Sequence, residues 1–261
     1  DSDMGALASQ ALRDIGVALH LSESPRALAV SDGHVTGVVL GSETLLADLV
    51  VFGTGARPVS ELAAKAGISL GVKGAIPVDN TMRTPVPHVW AAGDCAETVD
   101  RVSGRPVWIP LGTTANKMGR IAGLNLTGGE ATFPGIVGTA ITKVGDTEIA
   151  RTGLRERDCQ DLGINYACTT IEDRTRAGYY PGAAQIMVKL CAEKGSGRLL
   201  GAQIVGGPGS GKRIDTVAAC LTARLTVQDL VDMDLAYAPP FSPVWDPVQT
   251  AARVLLSSVQ A

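Results

Sequence analysis

The sequence contains few of the residues that bind metals, and it has no excess of positive charge. There are only three histidines among 261 residues, and the five cysteines include no Cys-x-x-Cys pair, so a structural zinc site is not expected. The 23 lysines and arginines are outnumbered by 26 acidic residues, which argues against a nucleic-acid-binding surface. No apolar run approaches the roughly 18–20 residues of a membrane-spanning helix, which predicts a soluble protein.

The five cysteines are scattered, and no secretion signal precedes them. The first ten residues carry neither the basic segment nor the apolar segment of a signal peptide. An odd number of widely spaced cysteines is typical of buried thiols in a reducing compartment, so a cytoplasmic location is expected. The chain also begins without methionine, as a piece of a longer polypeptide would. The cysteines are Cys95, Cys159, Cys168, Cys191 and Cys220.

Glycine is abundant, with 31 residues, and the pattern of the first 52 residues predicts a mixed α/β segment. Residues 3–15 have the apolar spacing of a helix, and Gly16 stands where its C-cap is expected. Residues 45–52 form a nearly continuous apolar run, which predicts a strand buried on both faces. An Asp32-Gly33 turn predicts a hairpin between the second and third of three β-type stretches. These stretches are 17–21, 27–30 and 35–40.

The order of predicted helices and strands changes at Thr127-Gly128-Gly129, so a domain boundary is expected near residue 129. The part before it predicts a helix at 60–66, short strands at 76–78 and 88–92, and a helix from about 113 to 126. The part after it predicts a meander of antiparallel strands followed by helices, which is an α+β unit. Its strands are expected at about 139–144, 147–152, 164–171, 184–192 and 199–205, and its helices at 154–162, 212–225 and 226–232.

A glycine and a carboxylate end the apolar strand at 88–92. Gly93 permits a close approach of the backbone to a ligand, and Asp94 can accept a hydrogen bond from a ligand hydroxyl at the carboxyl end of a parallel sheet. The alternative is a strand followed by a turn that an aspartate caps, without any ligand. The segments before and after this motif favour the ligand-binding interpretation.

Three segments follow one another in an order that is typical of one enzyme family. Gly53-Thr54-Gly55 ends the predicted buried strand, Gly93-Asp94 ends the next one, and Pro110 to Arg120 opens a helix. This set resembles the flavin-dependent pyridine nucleotide–disulfide oxidoreductases, which are similar to glutathione reductase. The resemblance implies FAD as cofactor and NAD(P)H as co-substrate.

The resemblance also implies roles for individual residues. Gly93 and Asp94 would hold the ribityl chain of FAD, and Thr54 and Gly55 would line the domain junction near the nicotinamide. Independently of the family, a helix N-terminus carries about half a positive charge, which stabilises the negative charge of a reduced flavin. The residues expected at that helix start are Gly112, Thr113 and Thr114.

The end of the sequence is similar to the coenzyme A-disulfide reductase and NADH oxidase/peroxidase branch of this family. The similarity rests on residues 235–247, which read LAYAPPFSPVWDP, and on the stretches at 177–182 and 211–215. It implies a dimerisation domain and a homodimer, in which Tyr237 reaches the catalytic centre of the partner and Tyr179 is a second tyrosine there. Asn116 and Trp245 match positions that face coenzyme A, although some relatives have a basic residue where Trp245 stands. The alternative for each tyrosine is a packed core residue.

The resemblance predicts the organisation of the whole chain and also shows what the chain lacks. The expected fold is α/β, with partial NAD and FAD domains, followed by an α+β dimerisation domain with an antiparallel sheet. The expected segments are the remainder of an NAD(P)-binding domain (1–57), the second part of an FAD-binding domain (58–128) and the dimerisation domain (129–261). The 261 residues contain neither Gly-x-Gly-x-x-Gly motif nor the redox cysteine of the family.

Two functional interpretations of such a chain remain open. One is part of an FAD-dependent NAD(P)H oxidoreductase whose electron acceptor is coenzyme A disulfide, or peroxide or oxygen. On this interpretation the chain alone is expected to be inactive, because it lacks the dinucleotide motifs and the thiol. The other is a dimerisation module that binds only its own copy and no cofactor.

A glycine-rich segment, Gly206 to Lys212, fits the first seven positions of a phosphate-binding P-loop. A P-loop needs serine or threonine next, to bind magnesium, and the residue here is Arg213. The preceding strand also belongs to an antiparallel meander. Nucleotide hydrolysis is therefore not expected, and a loop of the dimerisation domain is the better interpretation.

Overall fold

A computed structural model describes residues 1–259, which divide into two compact units. The smaller unit, Leu12–Ala56, contains an antiparallel sheet of three strands in the order β1 (Ala27–Ser31), β2 (His34–Val39) and β3 (Thr44–Leu46). The predicted hairpin is confirmed. Asp32 and Gly33 both have positive φ, 50° and 80°, as the tight turns that join twisted antiparallel strands require.

Two of the strands predicted in this unit do not form. Residues 17–21 are irregular, and within 45–52 only Leu45 and Leu46 lie in a strand. The expectation that 45–52 is buried on both faces is wrong, because Leu46, Leu49, Val51 and Phe52 are 67–90% exposed. An apolar run becomes a buried strand only when other strands and helices cover it, and no other strand of residues 1–259 pairs with 48–52.

The larger unit comprises Asp1–Ala11 and Arg57–Ala261, and its centre is a five-stranded antiparallel sheet in the order β6-β7-β10-β9-β8. All five predicted strands of the second half are confirmed, with small shifts of their ends. Their bounds are β6 (Ala140–Val144), β7 (Thr147–Gly153), β8 (Tyr166–Arg174), β9 (Gln185–Glu193) and β10 (Leu199–Gly206).

Helices cover one face of this sheet. They enclose the main hydrophobic core, in which Ile186, Val188, Leu190 and Ile204 are completely buried. The predicted helices at 212–225 and 226–232 are confirmed, whereas the helix at 247–259 was not predicted because its first residue is a proline in a proline-rich tail. The helices are α4 (Glu156–Asp161), α5 (Ile214–Ala223), α6 (Val227–Asp232) and α7 (Pro247–Val259), with a 3-10 turn at Gly211–Arg213.

The other face of the sheet carries a buried lysine. Because side chains alternate along a strand, Lys189 of β9 points away from the core that contains Val188 and Leu190. Its ammonium group lies 2.7 Å from a carboxylate oxygen of Glu156, 3.0 Å from one of Asp3 and 3.3 Å from one of Asp1, and its side chain is 6% exposed. Asp3 lies in the first turn of α1 (Ser2–Asp14), the helix that the sequence predicted at 3–15.

The remaining elements of the larger unit are short, except for one helix. α2 (Glu61–Lys65), β4 (Thr98–Val99) and β5 (Pro106–Val107) precede α3 (Gly112–Leu126), and the helix predicted from about 113 to 126 is thereby confirmed. The strands predicted at 76–78 and 88–92 reduce to single bridges, Ile76 with Ala96 and Trp90 with Arg83. His88 has a φ of 63°, which an extended strand does not accommodate.

Two of the five cysteines form a disulfide, which corrects the expectation of five free thiols. Cys168 of β8 and Cys191 of β9 are directly opposite each other in the register of the two strands, and they are bonded. The cause is the register, because directly opposed residues bring their Cβ atoms close together, and spacing along the chain does not reveal it. Cys95, Cys159 and Cys220 are free, and burial raises the pKa of the Cys159 thiol to about 11.

Candidate functional site

Gly93 and Asp94 lie against the first turns of α3. Gly93 has a φ of 85°, and a Cβ atom at this residue would be 3.7 Å from the Cβ of Ala115. The backbone carbonyl of Asp94 accepts a hydrogen bond of 2.8 Å from the indole nitrogen of Trp108. The Asp94 side chain itself is exposed. The turn is thus fixed by its backbone and leaves the carboxylate accessible.

The N-terminus of α3 is open. Its N-cap residue, Leu111, makes no side-chain capping bond, and the first turn holds no acidic residue. The hydrogen bonds of the helix begin at the N–H of Thr114, which bonds to the Leu111 carbonyl, so the N–H groups of Gly112 and Thr113 precede the bonded part. Gly112 and Thr113 are exposed, and Thr114 is buried. This arrangement presents N–H donors and partial positive charge beside Gly93.

Five of the predicted cofactor-binding residues therefore come together, and two others lie elsewhere in the chain. Gly93 and Asp94 adjoin the helix start formed by residues 112–114. Thr54 and Gly55 belong to the smaller unit, where both are exposed and Gly55 has a φ of 90°. A role for Thr54 and Gly55 near the nicotinamide stays a prediction.

The two candidate tyrosines also come together. Tyr237 and Tyr179 are close enough for Tyr179 to influence the Tyr237 hydroxyl, and their exposed fractions are 48% and 79%. Partial desolvation and the neighbouring Tyr179 both raise the pKa of the Tyr237 hydroxyl above its ordinary value. At neutral pH Tyr237 is therefore a proton or hydrogen-bond donor. The alternative of two packed core residues does not fit side chains this exposed.

The two residues predicted to face coenzyme A are both accessible. Asn116 lies on the exposed side of α3, one residue past Ala115. Trp245 is half-exposed, and the guanidinium of Arg253 lies 4.3 Å from the centre of its ring. A positive charge therefore adjoins Trp245, although the sequence has tryptophan at the position itself.

Sequence reasoning missed two residues that organise these groups. Trp108 fixes the turn at Asp94, and no short motif singles it out. Arg213 lies in the stretch 211–215 and excludes a P-loop, but no role was predicted for it. Its largely buried guanidinium donates to the Asp246 carboxylate and to the backbone carbonyls of Thr175 and Phe241. A buried arginine needs hydrogen-bond partners, so an arginine between a glycine-rich loop and a helix could have indicated such contacts.

The glycine-rich segment is closed by the chain itself. The N–H groups of Gly209 and Gly211 donate to the two carboxylate oxygens of Glu148, at 3.3 and 2.7 Å. Lys212 pairs with Asp215. A carboxylate of the chain thus occupies the place that a phosphate would need, which supports the interpretation of this segment as a loop of the dimerisation domain.

Residues 1–259 contain no group of three or more histidine, cysteine, aspartate or glutamate side chains that could hold a metal ion. Within the same residues, no helix is both long and apolar enough to cross a lipid bilayer.

Comparison with protein families gives two matches. The pyridine nucleotide-disulphide oxidoreductase profile matches residues 1–119, and the dimerisation-domain profile of the same family matches residues 139–247.

Individual relatives resemble most of the chain. An NAD(P)H coenzyme A polysulfide/persulfide reductase of Pyrococcus horikoshii is 46% identical over 222 residues, which are 85% of this chain and 50% of that protein. A coenzyme A disulfide reductase of Staphylococcus epidermidis is 32% identical over 75% of this chain and 44% of its own length. The solved structure of an NAD-dependent persulfide reductase from A. fulgidus is 42% identical with a TM-score of 0.93, over 99% of this chain and 48% of that one. The chain spans about half the length of the curated relatives it matches.

Proposed function

Because the chain belongs to the pyridine nucleotide-disulphide oxidoreductase family, we propose that it provides one side of a flavin site and the tyrosines of a thiol site in an NAD(P)H-dependent reductase. The acceptor is a sulfur–sulfur bond linked to coenzyme A, as a disulfide or a persulfide. For the disulfide, one NAD(P)H and one proton yield two coenzyme A thiols. The enzyme works as a homodimer.

The observation that carries this proposal is the packing of Gly93-Asp94 against the open start of α3. FAD fits these residues, because the exposed Asp94 carboxylate would accept hydrogen bonds from its hydroxyl groups and the N–H groups of Gly112 and Thr113 would stabilise its negative charge. When bound, FAD supplies the transfer of electrons between NAD(P)H and a thiol. The chain's own part is to hold that group and to stabilise negative charge at the helix start.

The tyrosine pair serves the other half of the proposed reaction. A thiolate leaves when the sulfur–sulfur bond breaks, and a hydroxyl about 3 Å from it can donate a hydrogen bond or a proton as its charge develops. Tyr237 and Tyr179 can act on the partner's centre because both are exposed in the single chain. Asn116 and Trp245 face the coenzyme A portion of the same substrate. The relatives named for coenzyme A chemistry support this assignment.

Replacing Asp94 with asparagine tests the flavin site. The full-length protein with Asp94→Asn should bind FAD about tenfold more weakly than wild type. The amide keeps one hydrogen-bond acceptor but loses the charge that strengthens the bond. The dissociation constant is measured by titrating FAD into apoprotein and following flavin fluorescence. Asp146→Asn changes an exposed aspartate of a β-turn and should leave the constant unchanged. Equal affinities of wild type and Asp94→Asn would remove Asp94 from the site.

A homodimer is the expected assembly, and its contact is expected to lie after residue 129. Tyr179, Phe241, Val244 and Trp245 are exposed in the single chain, and such aromatic and apolar groups are enriched at interfaces. Sedimentation velocity at micromolar concentration should give a dimer. Phe241→Glu places a charge in the expected contact and should shift the protein toward monomer, whereas Leu46→Glu, at an exposed residue of the smaller unit, should not. A wild-type protein that sediments only as monomer contradicts the expectation.

The second candidate function is a dimerisation module without cofactor. The open start of α3 favours the flavoenzyme, since a module that only self-associates has no need of unpaired N–H groups beside an exposed carboxylate. A visible flavin absorption band in the purified full-length protein separates the two candidates. The 261-residue chain alone is expected to show no NAD(P)H-dependent turnover, because it contains neither dinucleotide motif nor the redox cysteine.

A further inference from the structure

Arg213 is bonded to four separate segments of the chain. Its Nε donates to the Asp246 carboxylate at 2.8 Å, and one of its terminal nitrogens donates to the carbonyls of Thr175 at 2.7 Å and Phe241 at 3.0 Å. The other terminal nitrogen donates to the carbonyl of Gly209. The side chains of Arg213 and Asp246 are only 11% and 13% exposed. One guanidinium thus joins the glycine-rich loop, the end of β8 and two places in the tail.

The segments that Arg213 joins are those that carry the two tyrosines. Thr175 precedes Tyr179 by four residues, and Phe241 follows Tyr237 by four. Between these contacts, the N–H of Ala177 donates to the carbonyl of Pro239 at 3.2 Å, which links the loop directly to the tail. The Arg213 guanidinium therefore bonds to both segments, at residues that lie four positions from Tyr179 and from Tyr237.

Asp246 connects this arrangement to the core. Its second carboxylate oxygen accepts the N–H of Val248 at 3.0 Å, and its backbone carbonyl accepts the N–H of Thr250 in the first turn of α7. α7 packs on β8 and β9, with Val248 and Leu255 completely buried. The Arg213–Asp246 ion pair thus links the proline-rich tail to α7, which packs on the sheet.

We propose that Arg213 is a positioning residue that sets the distance and direction of the Tyr237 and Tyr179 hydroxyls for the sulfur-linked half-reaction. This inference rests on the proposed function. It depends on the fork of the guanidinium, whose donors reach several carbonyls and a carboxylate at once. A lysine has one compact charged group and cannot span the same acceptors.

The test combines Arg213→Lys with Tyr237→Phe and Tyr179→Phe in the full-length protein. Arg213→Lys should lower the turnover number with coenzyme A disulfide about tenfold, because small displacements of a catalytic group cost large factors in rate. The reduction of flavin by NAD(P)H should keep its wild-type rate. Arg157→Lys, on the exposed side of α4, is the matched control and should change neither rate.

Adding Arg213→Lys to a variant that lacks both hydroxyls separates positioning from general stability. If Arg213 acts through the two tyrosines, Arg213→Lys should cost no further turnover in the Tyr179→Phe Tyr237→Phe background, since the positions of missing hydroxyls no longer matter. Multiplied rate losses, or a wild-type rate for Arg213→Lys, would overturn the inference. Should Arg213→Lys fail to fold by circular dichroism, Asp246→Asn, which weakens the same ion pair, takes its place in the cycle with the same expected results. If Tyr237→Phe alone keeps full turnover, the proposed thiol site is wrong. If Tyr237→Phe loses turnover but Arg213→Lys does not, only the positioning role of Arg213 is wrong.

Discussion

Replacing Lys189 with methionine should lower the free energy of unfolding by about 3 kcal/mol. Removing one partner from a buried charge cluster leaves the others uncompensated, and such losses are typically 3–5 kcal/mol. The lower end is expected because Asp3 and Glu156 are 46% and 36% exposed, so water can take over part of their solvation, whereas Asp1 is 7% exposed. The methionine fills the space of the lysine stem, so packing changes little. Urea unfolding followed by circular dichroism measures the difference.

The control for Lys189→Met is Lys143→Met. Lys143 also pairs with an aspartate, Asp146, at 3.3 Å, but these side chains are 54% and 91% exposed. Exposed pairs contribute roughly 0–1 kcal/mol, so this variant should unfold at nearly the wild-type urea concentration. Equal losses for the two variants would mean that burial of the Lys189 cluster has no energetic consequence.

The same cluster predicts a dependence of stability on pH. Burial raises the pKa of Asp3, but the hydrogen bonds from Lys189 and from the N–H of Met4 outweigh this, and the net pKa is below its ordinary value. A carboxyl whose pKa is lower in the folded state stabilises the protein above its unfolded pKa, and that contribution is lost as the pH falls through the folded pKa. Wild type should therefore lose stability below about pH 4. Lys189→Met should show a shallower loss over the same range.

Replacing Tyr237 with phenylalanine should slow turnover with coenzyme A disulfide about tenfold to a hundredfold. Removal of one donor that acts mainly in the transition state costs on the order of 10²–10³ in rate. A smaller loss is expected here because thiolates are good leaving groups and because Tyr179 lies close enough to donate in place of Tyr237. The phenylalanine keeps the ring, so flavin content and the dimer should survive. Steady-state turnover in the full-length protein measures the effect.

Tyr166→Phe is the matched control for Tyr237→Phe. The Tyr166 hydroxyl accepts a hydrogen bond from Gln160 at 2.8 Å, away from the tail, so its loss should leave turnover unchanged. If Tyr237→Phe instead loses flavin and dimer together, Tyr237 is a packing residue and the assigned role is wrong.

The antiparallel sheet was predictable from the sequence because its determinants are local. Each strand of β6–β10 has β-branched or apolar residues bounded by glycine or charged turns, and the structure moves the predicted ends by no more than a few residues. The same holds for α3, whose glycine start and apolar spacing both lie within one short segment. The Gly93-Asp94 turn was recognisable because its positive φ favours a glycine at residue 93.

The features that were not predicted depend on contacts between distant residues. The run at 45–52 has the composition of a buried strand, but burial requires neighbours that residues 1–259 do not place there. The disulfide of Cys168 with Cys191 follows from strand register, and the contacts of Arg213 follow from the path of the tail. Composition and spacing within one segment carry no information on such pairings.

The most direct test of the account is an anaerobic titration of the full-length protein. NAD(P)H should bleach its visible flavin absorbance, and coenzyme A disulfide or coenzyme A persulfide, added in one equivalent, should restore it with release of coenzyme A thiol. A purified protein without a flavin band, or a bleached flavin that neither sulfur compound reoxidises, would contradict the central claim that these residues serve an NAD(P)H-dependent reductase of coenzyme A-linked sulfur.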